Sequence, residues 1–123
     1  MTAPDLDRRF GGMHRLYGDA EAGRIRQSHV CVVGIGGVGS WVAEALARSA
    51  VGRLTLIDLD MVAESNVNRQ IHALGTTIGQ SKTEAMAARI RDINPEAEII
   101  TLDNFYTEAN AKKLFGTAPD VII

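Results

Sequence analysis

The chain has a single cysteine, three prolines, few aromatic residues (5%) and no surplus of positive charge. Each shortage excludes something. One thiol, Cys31, cannot close an internal disulfide, which fits a reducing compartment. It sits in the apolar run Val30–Val33, where a small core residue is expected rather than a nucleophile. There are 13 basic and 15 acidic residues, so the formal net charge is −2, without the strong basic excess common in nucleic-acid binders. In the N-terminal stretch, Arg8, Arg9, Arg15, Arg24 and Arg26 are offset by Asp5, Asp7, Asp19 and Glu21, so an RNA-binding face is neither displayed nor excluded. With no cysteine pair, and with histidines only at His14, His29 and His72, a zinc site is not expected. No apolar run approaches the ~20 residues of a membrane span. The N-terminus is polar and charged and shows no secretory signal. The expected location is the cytoplasm.

What is present reads as one α/β domain. The 123 residues are 46% hydrophobic and 23% charged. We divide them into an N-terminal arm with a helix, residues 1–28, and a nucleotide-binding domain, residues 29–123. The expected fold class is a Rossmann-like, mostly parallel sheet flanked by helices. Asp19 to Gln27 is predicted as a short helix. Residues 29–35 are a strand whose continuous apolar run implies burial on both faces. A helix follows from Gly37 to Ala50, with Trp41, Val42, Ala45, Leu46 and Ser49 as its inward stripe and Gly52 as its end. Arg53 to Asp58 is the second strand. Met61 to Thr77 reads as irregular, with a helical turn near Asn66–Ala73. Gly79 to Ile93 is an amphipathic helix with Met86, Ile90 and Ile93 inward, and Pro95 bars its continuation. Glu98 to Leu102 is a third strand. Another helix is expected from Thr107, with Glu108 in its first turn, Lys112 and Lys113 near its end and Gly116 as its stop. Residues 120–123 open a fourth strand. This alternation implies right-handed parallel crossovers. Pro119–Ile123 reads as the start of a buried strand, so the chain is expected to be an N-terminal fragment lacking the C-terminal part of its domain.

Gly34-Ile35-Gly36-Gly37-Val38-Gly39 falls between the first strand and its helix. One glycine permits the tight turn, one lets the backbone approach phosphate, and one lets helix and strand pack closely. The helix N-terminus then offers free N–H groups and the positive end of its dipole. Asp58 lies 19 residues beyond Gly39 at the end of the next strand, where an acid can accept hydrogen bonds from ribose hydroxyls. Gly34, Gly36, Gly37, Gly39 and Asp58 are therefore nucleotide-binding candidates. The alternative is a close-packed strand–helix turn without a ligand.

A nicotinamide site needs little beyond that turn and acid. This chain adds Asp60, Asn66, Arg69, Gln70 and Lys82. Lys82 lies near a helix start, where a cation opposes the dipole, so its placement suggests a role other than local stability. Arg69 and Lys82 could clamp a triphosphate, arginine as a planar fork and lysine as a point charge. Attack on an α-phosphate builds negative charge that fixed cations stabilise. Asn66 can donate a hydrogen bond without adding charge. For each of these residues the alternative is a solvated surface side chain. His72 reads as a packing or capping residue.

Gly34–Gly39, Asp58-Leu59-Asp60, Ser65-Asn66-Val67-Asn68-Arg69-Gln70 and Gly79-Gln80-Ser81-Lys82 together resemble the ubiquitin-activating-type adenylyltransferases, the ThiF/MoeB-like superfamily. The resemblance covers about residues 8–123. Arg9-Phe10-Gly11-Gly12, Arg15-Leu16-Tyr17-Gly18, Gly37-Val38-Gly39-Ser40-Trp41 and Asn68-Arg69-Gln70-Ile71-His72-Ala73-Leu74 narrow it to a family of tRNA threonylcarbamoyladenosine dehydratases. That family implies ATP-dependent cyclisation of a modified adenosine in tRNA through adenylation of the threonyl carboxylate. It implies that the glycine turn, Asp58 and Asp60 hold ATP, and that Asn66, Arg69 and Lys82 contact its phosphates. It implies that Arg15 reaches the nucleotide of a neighbouring subunit in a homodimer. Arg69, Lys82 and Arg15 would be the catalytic residues. Mg2+ would accompany ATP, its aspartate lying beyond Ile123. Sulfur-transfer proteins are further candidate partners.

Three other readings share parts of this pattern. One is adenylation of the C-terminal glycine of a ubiquitin-like sulfur carrier. Another is an NAD-dependent oxidoreductase, which fold alone does not exclude. The last is a non-catalytic nucleotide-binding module.

Overall fold

Short aliphatic strands meet in register to form a parallel sheet in the computed structural model, which describes residues 3–105, 107, 109–111 and 118–123. The strands are β1 (His29–Val33), β2 (Arg53–Ile57), β3 (Glu98–Leu102) and β4 (Val121–Ile122), in the order β3-β2-β1-β4. All three pairings are parallel, with Val30 opposite both Leu54 and Val121, and Leu54 opposite Ile99. Parallel neighbours need crossovers. Helix α3 (Gly39–Arg48) joins β1 to β2, and helix α4 (Lys82–Ile93) lies on the path from β2 to β3. This is the Rossmann-like class expected from the alternation of elements. No helix among the described residues is long and apolar enough to cross a membrane.

The core lies where the two crossover helices meet the sheet. Val30, Val32, Leu54 and Leu56 pack with Ala43 and Ala47 of α3 and with Met86, Ala87 and Ile90 of α4. Each large aliphatic side chain so buried contributes about 1.5–3 kcal/mol. Cys31 is fully buried, as expected, and burial pushes its thiol up to about 11, so it stays protonated.

Four expectations need correction. The inward face of α3 is Ser40, Ala43, Glu44 and Ala47, whereas Trp41 is 51% exposed and Ala45 is exposed too. Val42 and Leu46 only flank the core. Hydropathy misplaced the stripe because a carboxylate occupies it. Glu44 receives Arg89 Nε at 2.6 Å and Arg48 Nε at 2.8 Å. Burial alone would raise its carboxyl, but the two arginines outweigh that and hold it below the usual range. Gly52 does not end α3. The chain turns at Ala50 (φ 67°), and Gly52 is required because a Cβ there would fall on the Arg26 carbonyl.

The N-terminal arm is more ordered than expected. Helix α1 (Leu6–Tyr17) precedes the predicted α2 (Asp19–Gln27) and runs through Gly11-Gly12. Asp5 caps it, accepting from Arg8 N at 3.1 Å. Arg9 docks it, donating through Nη1 to the carbonyls of Asp92 and Ile93 at 2.8 and 2.9 Å. Those carbonyls end α4 and have no partner within that helix. At the other end of the chain, Val121, Ile122 and Ile123 lie on the sheet edge about half exposed, not buried. The helix expected from Thr107 to Gly116 lies largely outside the described residues.

Candidate nucleotide site

The glycine turn leaves β1 where the sheet's helical connections begin. At Gly34 the backbone adopts φ 88°, a left-handed conformation that side chains disfavour. A Cβ on Gly39 would fall on the Gly34 carbonyl oxygen, so only glycine lets α3 start this close to β1. Gly36 and Gly37 differ. A Cβ on Gly36 would come no nearer than 3.9 Å to Gln70 Nε2, and one on Gly37 would lie 3.7 Å from Arg69 Cδ and Nε. These two glycines therefore leave a shallow cradle that Arg69 and Gln70 flank.

Asp58 stitches the turn. Its Oδ2 accepts from Ile35 N at 2.7 Å and its Oδ1 from Asp60 N at 2.8 Å. Below them is a pocket of about 210 Å³ lined by Val33, Gly34, Ile57, Asp58, Leu59, Asp60, Asn104 and Phe105. It lies at the carboxyl ends of β1 and β2, where open α/β sheets bind ligands. A roomier cavity of about 450 Å³, lined by Arg9, Phe10, Arg48, Asp92 and Ile93, sits at the other end of the strands against α1. Its two arginines are engaged, Arg9 with α4 carbonyls and Arg48 with Glu44.

The remaining candidates reach the turn along different routes. Asn66 is buried in a short 3-10 helix (Glu64–Asn66), and its Oδ1 accepts from Ala63 N at 2.8 Å, which leaves its Nδ2 to donate. Arg69 is exposed, and its Nη1 donates to Ser65 O and Asn68 Oδ1, both at 3.0 Å. Lys82 opens α4 and is only 7% exposed. Its backbone N–H donates to the Asp60 carbonyl at 3.1 Å. Its ammonium makes no ion pair or hydrogen bond among the described residues. The Asp60 side chain is exposed beside the pocket. Arg15 lies apart, exposed on α1 with its guanidinium against Gly11 and Gly12 of its own helix.

Three contributors escaped the sequence reading in whole or part. Trp41 projects from the first turn of α3 and donates through Nε1 to the Arg69 carbonyl at 2.8 Å. Gln70 is buried with its Oε1 unpartnered. His72 is a packing residue, as expected, but its Nε2–H also donates to the Ile35 carbonyl at 2.8 Å. Burial holds its imidazole below the usual range, and the nearby Lys82 charge adds to that, so the ring is neutral and Nδ1 is bare. Only the unusual cluster of polar residues at 65–72 signalled these contacts. Among the described residues no group of three His, Cys, Asp or Glu side chains is placed to hold a metal.

The turn, the cradle and a cation without an acidic partner among the described residues form a surface that suits a phosphate chain. The ThiF family profile matches residues 10–123. The tRNA threonylcarbamoyladenosine dehydratase of Haemophilus influenzae is 49% identical over 119 residues, covering 97% of this chain and 46% of that protein. The Bacillus subtilis protein of the same name is 54% identical over 99 residues, covering 80% and 39%. The crystal structure of Escherichia coli tRNA N6-threonylcarbamoyladenosine dehydratase, TcdA, in complex with ATP overlays with a TM-score of 0.92 at 47% identity, covering 99% of this chain and 51% of that one. The chain spans about half the length of the relatives it matches.

Proposed function

The chain belongs to the ThiF family, and from that premise we propose that it forms the ATP-binding part of an enzyme that dehydrates threonylcarbamoyladenosine in tRNA through carboxylate adenylation. The observation that carries this reading is Lys82, a cation at the start of α4 with no acidic partner among the described residues, its backbone joined through Asp60 to the pocket beside the glycine turn. A cation in the first turn of a helix opposes the helix dipole, and an anionic ligand offsets that cost.

In this reading the backbone N–H groups of Gly36 and Gly37 and the start of α3 take the phosphates. Arg69 and Lys82 neutralise the charge that grows on the α-phosphate and on departing pyrophosphate. Asn66 adds a neutral donor. Asp58 keeps the turn in shape and offers its remaining lone pairs to ribose hydroxyls. A threonyl carboxylate oxygen attacks the α-phosphorus and pyrophosphate leaves. The carbamoyl group then attacks the activated carbonyl carbon and AMP departs with the former carboxylate oxygen, so the substrate has lost one water. Arg15 would act on a neighbouring subunit's nucleotide in a homodimer. Mg2+ would accompany the triphosphate. Modified tRNA is the substrate, and sulfur-transfer proteins are further partners.

Pyrophosphate exchange by the full-length protein tests this. Label should return to ATP when threonylcarbamoyladenosine-containing tRNA is supplied, and Arg69→Ala should suppress it. Exchange that instead requires a protein ending in Gly-Gly would overturn the tRNA reading, and ATP binding without any exchange would overturn adenylation.

A further inference from the structure

We infer that Trp41 is a positioning residue for the phosphate-binding arginine, an inference that rests on the ATP reading above. Trp41 stands two residues after Gly39, on the first turn of the helix whose N-terminus faces the cradle. The hydrophobic core does not hold it there, since half of its surface is open. Its specific tie is the indole N–H, which donates to the Arg69 carbonyl at 2.8 Å across 28 residues of chain. The adjacent Ser40 is buried and accepts from Ile71 N at 3.4 Å, a longer and weaker contact. Two consecutive helix residues thus clasp the segment Arg69–Ile71.

That clasp matters because of where Arg69 lies. Its side-chain stem and Nε pass 3.7 Å from the point a Cβ on Gly37 would occupy. The guanidinium bonds to Ser65 O and Asn68 Oδ1 come from the same loop and move with it. They fix the arginine relative to its loop, not relative to the glycine turn. His72 on the Ile35 carbonyl and Ser40 on Ile71 N tie the loop further along, and the Trp41 bond is the tie made on Arg69 itself. Electrostatic stabilisation depends on donors held in advance where charge develops. A phenylalanine would keep the ring and lose the donor. Water would solvate the released carbonyl, because Arg69 is exposed, so folding should be nearly unaffected.

The test is a double-mutant cycle on the full-length protein, with dissociation constants for ATP and for adenosine and a urea midpoint for each variant. Trp41→Phe should weaken ATP by roughly three- to tenfold, the scale of one hydrogen bond. It should leave adenosine binding and the midpoint unchanged. In an Arg69→Ala background, Trp41→Phe should cost ATP nothing further. Unchanged ATP affinity, equal losses for ATP and adenosine, or full additivity with Arg69→Ala would each overturn the inference. Where Arg69→Ala weakens ATP and Trp41→Phe does not, the inference fails alone. Where wild-type protein does not bind ATP, or Arg69→Ala leaves it unchanged, the ATP reading fails and takes the inference with it.

Discussion

Replacing Lys82 with methionine in the full-length protein should make the fold more stable and the nucleotide harder to hold. The two effects have separate origins. Lys82 is the first residue of α4 and is 7% exposed, with no acidic partner among the described residues. A cation at a helix N-terminus opposes the dipole at a cost of about 0.3–1 kcal/mol. Methionine has a similar length and keeps the packing of the stem. Lys82→Met should therefore raise stability by about 1 kcal/mol, read as a higher urea midpoint without nucleotide. A hydrogen bond to a charged group contributes about 1.5–3 kcal/mol, so ATP should bind roughly 10- to 150-fold more weakly. Adenosine, which carries no phosphate, should bind as before. A variant that loses more than about 1 kcal/mol of stability while holding ATP normally would show Lys82 to be a structural residue and would remove the observation on which the functional reading stands.

Other expectations are independent of that one. Gly36→Val should fold with a stability change below about 1 kcal/mol, since its Cβ meets only Gln70 Nε2 at 3.9 Å, yet it should abolish ATP binding measured by calorimetry. Retained affinity would show that phosphate does not sit there. Removing either side of the α3–α4 ion cluster should be unequal. Glu44→Gln discards the buried charge and leaves arginines that are 34% and 59% exposed to regain water, whereas Arg89→Met strands a carboxylate that is 7% exposed on Arg48 alone. Denaturation should give about 1–2 kcal/mol for the first and about 2–4 kcal/mol for the second, and equal losses would refute the asymmetry. His29 and His72 both sit below their usual 6.5, chiefly through burial. The unfolded chain therefore takes up protons first, so their contribution is intact above about pH 6.5 and is lost as pH falls from there toward their folded values. A variant lacking both imidazoles should show a flatter acid limb, and an unchanged limb would assign the acid sensitivity elsewhere.

The parts of the fold that were legible in the sequence are those where local chemistry and tertiary packing agree. The run Val30–Val33, the glycine turn, Asp58 and strand Glu98–Leu102 each announce themselves through residue types that suit one conformation. Helix α1 did not, because Gly11-Gly12 lowers its propensity and only Phe10 is buried, so no stripe marks it. It is docked by Arg9 on carbonyls 83 and 84 residues away, a contact that no local pattern encodes. The face of α3 was misread for the same reason, since Arg89 arrives from α4 to join Arg48 in pairing the buried Glu44. In the candidate site, the residue types at 66, 69 and 82 suggested phosphate contacts, and the structure places them around the glycine turn by different routes. The supports beneath them, Trp41 on the Arg69 carbonyl and His72 on the Ile35 carbonyl, bind backbone atoms and so leave no complementary residue type to notice.

The pattern of charge matching completes the case for an anionic ligand. Three acids near the site or within the core have found donors, while the Asp60 carboxylate beside the pocket stays exposed. Glu44 has two arginines, Asp58 has two backbone N–H groups, and Asp103 accepts from Ser81 Oγ at 3.0 Å and from Thr83 Oγ1 at 2.5 Å. The bases beside the glycine turn have not found acids. Arg69 spends one nitrogen on neutral oxygens of its own loop, and Lys82 has no anion among the described residues. Beneath them His72 stays neutral, so it donates to the turn without adding a third positive charge. Two cations without an acidic partner among the described residues, on one side of a phosphate-type turn, make a surface suited to a negative ligand. Polyphosphate fits that deficit.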